Sequence, residues 1–231
     1  MPTAPIAILV AAGAGTRMGA GVPKALMPLA GRAMIAWSVE ALGRCGRLAA
    51  LVILAPPGHE DEVRRAAAGD LPMTVVPGGE SRADSVRLGL AVVPEDVGRV
   101  LVHDAARPLI SAGLVGRVLD AVDGADGAIA AAPVVDTLKR AGEDALIAST
   151  VPREGLWGAQ TPQAFRAAVL RRAVRSATNA GTLAYATDCA SLVEAAGGRV
   201  RMVDPGAPNL KVTTPADHAL AEAILAARAR R

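Results

Sequence analysis

A glycine-rich stretch near the N-terminus reads Leu9-Val10-Ala11-Ala12-Gly13-Ala14-Gly15-Thr16-Arg17-Met18-Gly19-Ala20-Gly21-Val22-Pro23-Lys24. The apolar run Ile6–Val10 leads into it and is typical of a strand buried on both faces. Glycines let the backbone approach a ligand closely and present its N–H groups. The two cations of the stretch, Arg17 and Lys24, suit a polyphosphate. We therefore predict a phosphate-binding loop directly after the first strand.

This loop matches neither of the two most familiar phosphate-binding loops. A dinucleotide-binding loop reads G-x-G-x-x-G and is followed by an acid at the end of the second strand. Here Met18 stands at the third glycine, and the predicted second strand ends in Pro56-Pro57. A P-loop requires Gly-Lys-Ser or Gly-Lys-Thr, whereas Lys24 follows Pro23. The stretch is therefore a third kind of phosphate loop, or a strand-to-helix turn that is merely rich in glycine.

The order of apolar runs and helical periodicities predicts one α/β domain over residues 1–231. The fold class is a Rossmann-like, mainly parallel sheet flanked by helices, and 231 residues suffice for a substantial core. Strands are predicted at 6–10, 51–54, 73–76, 100–102, 127–132 and 200–203, and a short extended piece at 209–213. Helices are predicted at 35–42, 60–68, 81–93, 111–123, 163–178 and 187–196, and from 214 onward. A segment of mixed polarity at about 134–153 predicts a protruding β-hairpin arm, which must cover a site or meet another subunit.

Composition favours a small-molecule enzyme over several other classes. The net charge is only +3 and aromatic residues make up 2% of the chain, so we expect no nucleic-acid partner. The apolar stretches are far shorter than the roughly 20 residues that cross a bilayer, so we expect no membrane association. Cys45 and Cys189 form neither a metal-ligand spacing nor a disulfide framework, and no charged leader precedes an apolar core. We therefore expect a cytoplasmic protein without a residue-bound metal.

A second motif follows the predicted third strand and reads Pro77-Gly78-Gly79-Glu80-Ser81-Arg82-Ala83-Asp84-Ser85. Ser81 with Asp84 three residues later is a capping-box pattern, so these residues could simply begin a helix. The glycine pair adds a functional interpretation, because open α/β sheets bind ligands at the carboxyl ends of their strands.

A third motif is Val102-His103-Asp104-Ala105-Ala106-Arg107-Pro108. Asp104, at a strand's carboxyl end, could hold a metal ion or a ribose hydroxyl. Arg107 could pair with Asp104 or with a phosphate, and a purely structural Asp–Arg pair is the alternative. We interpret His103 as a structural hydrogen-bonding residue rather than a catalytic base.

Together these motifs resemble one enzyme family across nearly the whole chain. The loop at 11–24 resembles the nucleotidyltransferase pattern A-A-G-x-G-x-R-M followed by P-K. The full set resembles the 2-C-methyl-D-erythritol 4-phosphate cytidylyltransferase family. The segments that carry this resemblance are 11–24, 78–85, 102–108, 136–140, 157–163, 187–188 and 209–213.

The resemblance implies a reaction and a set of roles. CTP and 2-C-methyl-D-erythritol 4-phosphate would give the CDP-alcohol and pyrophosphate, with Mg²⁺ bound mainly through the CTP phosphates. The residues implied as catalytic are Arg17, Lys24, Arg153 and Lys211. The CTP site would be lined by Ala11, Ala12, Gly13, Gly15, Gly79, Glu80, Ser85, Asp104 and Ala105. The acceptor would be surrounded by Asp104, Arg107, Thr137, Arg153, Thr187 and Lys211. The arm would cross to the neighbouring subunit of a homodimer, so that Arg153 serves the partner's site.

The sequence departs from the family pattern at three positions. Cys189 stands where an acid often follows Thr-Asp, Ala25 stands where Gln often follows Pro-Lys, and Glu80 replaces Asp. They bear on the exact acceptor, and two alternatives to the family reaction stay open. One is a cytidylyltransferase for another polyol phosphate, such as ribitol 5-phosphate, which would differ in its acceptor pocket. The other is a non-catalytic nucleotide sensor, which would keep the glycines and lose Arg17 or Lys24; both cations are present.

Overall fold

A seven-stranded sheet forms the centre of the computed structural model, which describes residues 3–13 and 22–230. The strands of the protein are β1 (Ile6–Val10), β2 (Pro28–Leu29), β3 (Arg32–Ala33), β4 (Ala50–Ala55), β5 (Met73–Pro77), β6 (Arg99–Asp104), β7 (Gly127–Pro133), β8 (Leu138–Ala141), β9 (Ile147–Val151), β10 (Trp157–Arg166) and β11 (Val200–Val203). The helices are α1 (Met34–Arg44), α2 (Glu60–Ala66), α3 (Arg82–Val92), α4 (Ala112–Asp120), α5 (Ala167–Asn179), α6 (Cys189–Ala195) and α7 (Pro215–Ala229). The order across the large sheet is β11-β7-β10-β6-β1-β4-β5. The prediction of a mainly parallel α/β sheet is confirmed.

The central strands are buried on both faces because helices cover each side of the sheet. Along β1, Ala7 and Leu9 pack into one apolar cluster with residues of α1, α2 and α4. Ile6 and Ile8 pack into a second cluster with residues of α3, α5 and α6. Alternate residues of a strand point to opposite faces, so a continuous apolar run is what two covered faces require.

One predicted element is wrong at its start. The sequence pattern predicts a helix from Gln163, whereas the structure continues β10 to Arg166 and begins α5 at Ala167. β10 lies antiparallel between β6 and β7, and its pairing with β7 shifts between Ala159 and Gln163. Pro162 falls in that irregularity, where a residue without an N–H interrupts no regular ladder bond. The Pro and Gly residues of β10 therefore hide the strand pattern in the sequence, and the strand is recognised only from its pairing with β6 and β7.

Two small hairpins lie outside the large sheet. β8 and β9 pair antiparallel, and most of their residues are exposed, as the predicted arm at 134–153 requires. β2 and β3 form a short hairpin that the sequence pattern does not predict, with a two-residue turn at Ala30-Gly31. The 209–213 segment belongs to neither sheet.

The topology places a crevice beside β1. From β1 the chain moves outward to β4 and β5 on one side, and β6 returns to pair with β1 on the other. The carboxyl ends of these parallel strands lie at one edge of the sheet. Open α/β sheets bind ligands at such a reversal of strand order.

Candidate active site

A cavity of about 410 Å³ opens at this edge of the sheet. Residues 11–13 after β1, the start of α3 and the end of β6 contribute to its walls, and Lys211 and Thr213 line it as well. Its lining includes these described residues: Val10, Ala11, Ala12, Gly13, Lys24, Ala25, Gly79, Glu80, Ser81, Arg82, Ser85, Asp104, Ala105, Ala106, Lys211 and Thr213. Most predicted CTP-binding residues therefore lie together. Arg17 and Gly15 fall outside the described residues.

The glycine pair at 78–79 allows three chain segments to meet at the cavity wall. A Cβ atom at Gly78 would overlap the Ala12 side chain, and one at Gly79 would overlap the Asp84 carboxylate. The Ser85 hydroxyl accepts a hydrogen bond from the Gly79 N–H (3.0 Å) and donates one to the Ser81 carbonyl (2.9 Å). This bonding holds the wall in shape, so Ser85 lines the cavity with a hydroxyl that already has two partners.

Ser81 is the N-cap of α3, as the capping pattern predicts. Its hydroxyl accepts the Asp84 N–H at 3.0 Å, which satisfies one of the free donors at the helix start. The structural interpretation of this motif is confirmed, and Ser81 also lines the cavity, while the functional interpretation stays a prediction.

A buried carboxylate between two cations forms the floor of the cavity. Asp104 accepts from Arg82 Nε at 2.9 Å through one oxygen and from Lys211 Nζ at 2.8 Å through the other. Burial by itself would raise the pKa of Asp104, but the charges of Arg82 and Lys211 outweigh burial and hold that pKa well below its usual range. Asp104 is therefore ionised throughout the neutral range, and the trio keeps one net positive charge toward the cavity.

Arg107, in contrast, is not the hydrogen-bonding partner of Asp104. Its Nη1 donates to the Asn209 carbonyl at 2.7 Å, 102 residues away in sequence. The structural Asp–Arg pair considered from the sequence therefore joins Asp104 to Arg82 rather than to Arg107. Arg107 ties the 209–213 segment to the end of β6, and it is absent from the described cavity lining.

A buried polar network supports the floor from behind. The His103 Nδ1 lies 2.9 Å from Thr161 Oγ1, which accepts the Asp104 N–H at 3.1 Å. Asn209 Nδ2 donates to the Thr161 carbonyl at 2.9 Å. Burial lowers the pKa of His103 to about 4, so its ring is neutral at pH 7. His103 is thus a structural hydrogen-bonding residue, as predicted from the sequence.

The three positions that depart from the family pattern all lie near this cavity. Ala25 is buried and Glu80 is exposed, and both line it. Cys189 is buried at the start of α6, with its Sγ 3.7 Å from Arg82 Nη1. Burial raises the pKa of the Cys189 thiol, so Arg82 faces a neutral group there.

Besides Arg107, three more predicted acceptor residues lie apart from the described cavity lining. Thr137 and Arg153 belong to the exposed arm region, and Arg153 donates to the Val135 carbonyl. Thr187 is exposed before Asp188, the N-cap of α6. A single chain therefore brings together the predicted CTP residues, Asp104 and Lys211, and leaves the arm residues outside.

Arg82 is the site residue that the sequence motifs did not single out. It occupies the first turn of α3, where a cation is disfavoured by the helix dipole. This placement is the feature of the sequence that could have pointed to Arg82, because a cation at a helix start needs a specific anionic partner. Asp104 is that partner.

The donor set bears on which ions the site could hold. Within residues 3–13 and 22–230, no three His, Cys, Asp or Glu side chains lie together as a metal cluster. Glu80 and Asp104 are the acids of the described lining, and both Asp104 oxygens already accept from cations. Mg²⁺ is commonly held by one or two carboxylates, waters and substrate phosphates, so this lining fits a cation carried chiefly by a phosphate substrate. Across the same residues, no helix combines the length and apolar character that crossing a membrane requires.

The arrangement is suited to bringing two phosphate groups together. Lys24 and Lys211 both line one cavity, and Arg82 adds a third cation to it. Phosphoryl transfer depends mainly on positioning and on stabilising charge, for which such a set is appropriate.

Comparison with known proteins assigns the chain to a family. The family model described as 2-C-methyl-D-erythritol 4-phosphate cytidylyltransferase matches residues 6–227. A protein of that name from Frankia casuarinae is 46% identical over 95% of this chain and 80% of its own length. One from Saccharopolyspora erythraea is 45% identical over 96% of this chain and 99% of its own. The crystal structure of the Thermus thermophilus enzyme of that name superposes with a TM-score of 0.79 at 35% identity, covering 95% of this chain and 98% of its own. The chain therefore belongs to the 2-C-methyl-D-erythritol 4-phosphate cytidylyltransferase family.

Proposed function

We propose that this protein is a cytidylyltransferase that transfers CMP from CTP to 2-C-methyl-D-erythritol 4-phosphate. The products are 4-diphosphocytidyl-2-C-methyl-D-erythritol and pyrophosphate, in the non-mevalonate route to isoprenoid precursors. The acceptor phosphate oxygen attacks the α-phosphorus of CTP, and the bond to the bridging oxygen of pyrophosphate breaks. The family membership and the cation-lined cavity beside β1 support this reaction.

One observation carries the proposal: Lys24, Arg82 and Lys211 meet in a single cavity at the switch point of the sheet. Two polyanions repel each other, and cations fixed between them lower the energy of their approach and of the charge that develops on the α-phosphate. We propose that Lys24, with Arg17, stabilises the α-phosphate, and that Lys211 directs the acceptor phosphate.

The reaction requires no general base on the protein. A phosphate monoester has a second pKa of about 6 and is mostly dianionic at neutral pH, so it is a competent nucleophile without deprotonation. The described cavity lining contains no histidine, and His103 behind it is buried and neutral. Positioning and charge therefore account for the chemistry.

A divalent cation fits the family, and we propose Mg²⁺. It would neutralise part of the triphosphate charge when bound, with CTP oxygens and the Glu80 carboxylate as its ligands. The protein's own cations hold the remaining phosphate oxygens.

The exposed arm supports a homodimer in which each arm completes its neighbour's site. Arg153 and Thr137 lie outside the described lining of their own cavity, and the arm carries exposed apolar side chains: Val135, Leu146 and Ile147. A closed two-fold dimer would bury them and bring two arginines to two sites at once. We further propose that residues 1–231 form a single nucleotidyltransferase domain and that the protein has a cytoplasmic location, which suits the free thiols of Cys45 and Cys189.

Pyrophosphate release from CTP and Mg²⁺, with and without 2-C-methyl-D-erythritol 4-phosphate, tests the proposal. We expect release that depends on this acceptor and is far slower with ribitol 5-phosphate at the same concentration. Release with ribitol 5-phosphate but not with 2-C-methyl-D-erythritol 4-phosphate would show that the assigned acceptor is wrong, and the error would lie in the interpretation of the acceptor pocket. CTP binding without release in any combination would indicate a nucleotide sensor instead.

A further inference from the structure

The C-terminal helix α7 contacts both of the chain segments that bring lysines to the cavity. One segment is the hairpin β2–β3, which follows the 3-10 turn Lys24–Leu26. The other is the 209–213 segment, which carries Lys211 and Thr213. Neither α7 nor its side chains belong to the described cavity lining, so its role there must be indirect.

The N-terminus of α7 fixes the Lys211 side. Asp217 Oδ2 accepts from the Thr213 N–H (2.8 Å), the Thr213 hydroxyl (2.6 Å) and the Thr214 N–H (2.8 Å). Thr214 in turn accepts the Asp217 N–H, which completes a capping box. The hydrogen bonds from Thr213 and Thr214 lower the pKa of Asp217, so this carboxylate remains an acceptor across the neutral range. The helix start therefore holds the residue that follows Lys211 by two positions.

The next turns of α7 fix the Lys24 side. His218 Nε2 donates to the Pro28 carbonyl at 2.7 Å, and Glu222 Oε1 accepts the Ala30 N–H at 2.9 Å. Pro28 begins the hairpin only four residues after Lys24.

The anchored turn has an unusual backbone. Ala30 has φ +47° and Gly31 has φ +78°, which is the two-residue turn with both φ values positive that tight hairpins prefer. Ala is poorly suited to this left-handed conformation because of its Cβ. Such conformations persist where the surroundings over-determine them, and they cluster at functional sites. Here the hydrogen bond from the Ala30 N–H to Glu222 ties the turn to α7, in addition to the pairing of β2 with β3.

An apolar cluster joins the two sides beneath these anchors. Leu29 of β2 and Val212 of the 209–213 segment pack together with Ala221 and Leu225 of α7. The Val212 N–H also donates to the Ala106 carbonyl at 2.8 Å, next to the cavity floor. A shift of α7 would therefore displace both the hairpin β2–β3 and the 209–213 segment.

We propose that Glu222 and His218 are positioning residues and that α7 is a brace which fixes the Lys24 wall relative to the Lys211 wall. Only the catalytic part of this inference rests on the proposed function. Because the two substrates must be held in line for transfer, loosening the brace should lower kcat more than it weakens CTP binding.

Three variants of α7 separate positioning from stability. Glu222→Ala removes the acceptor for Ala30, whereas Glu222→Gln keeps an oxygen at that place. Ala223→Gly weakens the same helix at an exposed neighbouring position without touching either anchor. Each variant is compared with the wild type for amide hydrogen exchange in the free protein, for melting temperature, and for kcat and the KM of each substrate.

We expect Glu222→Ala to speed exchange at 24–33 and also at 210–214, a segment that Glu222 does not contact. Its kcat should fall by roughly tenfold with the KM for CTP nearly unchanged, because small displacements of reacting groups cost that much or more. Glu222→Gln should restore both readouts, and Ala223→Gly should lower the melting temperature while keeping kcat.

Two results would overturn the brace. One is unchanged exchange at 210–214 in Glu222→Ala, and the other is an equal loss of kcat in Ala223→Gly. If the wild type released no pyrophosphate with this acceptor, the proposed function would fail, and the exchange measurement would still decide the brace.

Discussion

The predicted site residues of the cavity wall and those of the β8–β9 arm differ in how firmly the single chain holds them. The wall residues are locked by contacts within one chain: Asp104 is buried between Arg82 and Lys211, and Ser85 holds the glycine pair. On the arm, Thr137 and Arg153 are exposed, and large apolar side chains nearby face solvent. One part of the site is pre-organised by the monomer's own fold. The other part, in our proposal, is completed by a second chain.

Lys24→Ala should have the largest effect, because it removes a cation from the pre-organised wall. We expect turnover to fall by about 10³-fold or more, as for other charge-stabilising groups in phosphoryl transfer, with the melting temperature and circular dichroism retained. Pyrophosphate release measures this, and Arg64→Ala on exposed α2 is the matched loss of a surface cation. Turnover close to wild type in a folded Lys24→Ala protein would refute the role of Lys24.

Mixing two inactive variants tests whether the arm serves a partner. Lys24→Ala and Arg153→Ala chains, exchanged into hybrid dimers, should recover about a quarter of wild-type turnover, since half of the dimers would each hold one intact site. The control mixes Lys24→Ala with the Lys24→Ala/Arg153→Ala double variant, which can form no intact site. Recovery absent from both mixtures, despite confirmed subunit exchange, would place Arg153 in its own chain's site.

The network behind the wall should make stability depend on pH through His103. Its pKa of about 4 in the fold lies below the usual value near 6.5, so the unfolded chain binds a proton first as pH falls. Stability from this group is complete above about pH 6.5 and declines toward pH 4, by about 2 kcal/mol at pH 5.

Urea unfolding at pH 7 and pH 5 measures this loss in the wild type and in His103→Gln. The variant should be less stable at pH 7 and should lose about 2 kcal/mol less between the two pH values. Parallel losses in the two proteins would show that His103 is not the titrating group.

The smallest effect on folding should come from the arm tip. Leu146→Ser with Ile147→Ser should change the free energy of unfolding of the single chain by no more than about 0.5 kcal/mol, because both side chains are already exposed. The same change at the buried Leu170 should cost several times more, at least about 2 kcal/mol. Sedimentation of the arm variant should show weaker self-association than the wild type if a partner covers these side chains. Equal association would exclude the tip from the dimer contact.

Local patterns were sufficient for much of the fold. Apolar runs located the central strands β1, β4, β6 and β7, because strands buried on both faces leave continuous apolar sequence, and they also located the edge strands β5 and β11. Cap chemistry predicted the starts of α3 and α7, since both caps are made within three residues. The sequence pattern did not predict β10, because this strand contains Pro and Gly residues that disfavour a strand locally. Its pairing with β6 and β7 defines it instead.

The sequence by itself determined the fold class and the family, and it showed which charged residues the motifs carry, because each of these is a feature of residues close together along the chain. Only the tertiary structure decided which of those charges meet. Asp104 pairs with Arg82, 22 residues away in sequence, and with Lys211, 107 residues away, while Arg107 donates a hydrogen bond to the Asn209 carbonyl. No local sequence pattern predicts such pairs. Residues far apart along the chain come into contact only when folding brings strand ends, helix starts and the C-terminal segment to one edge of the sheet.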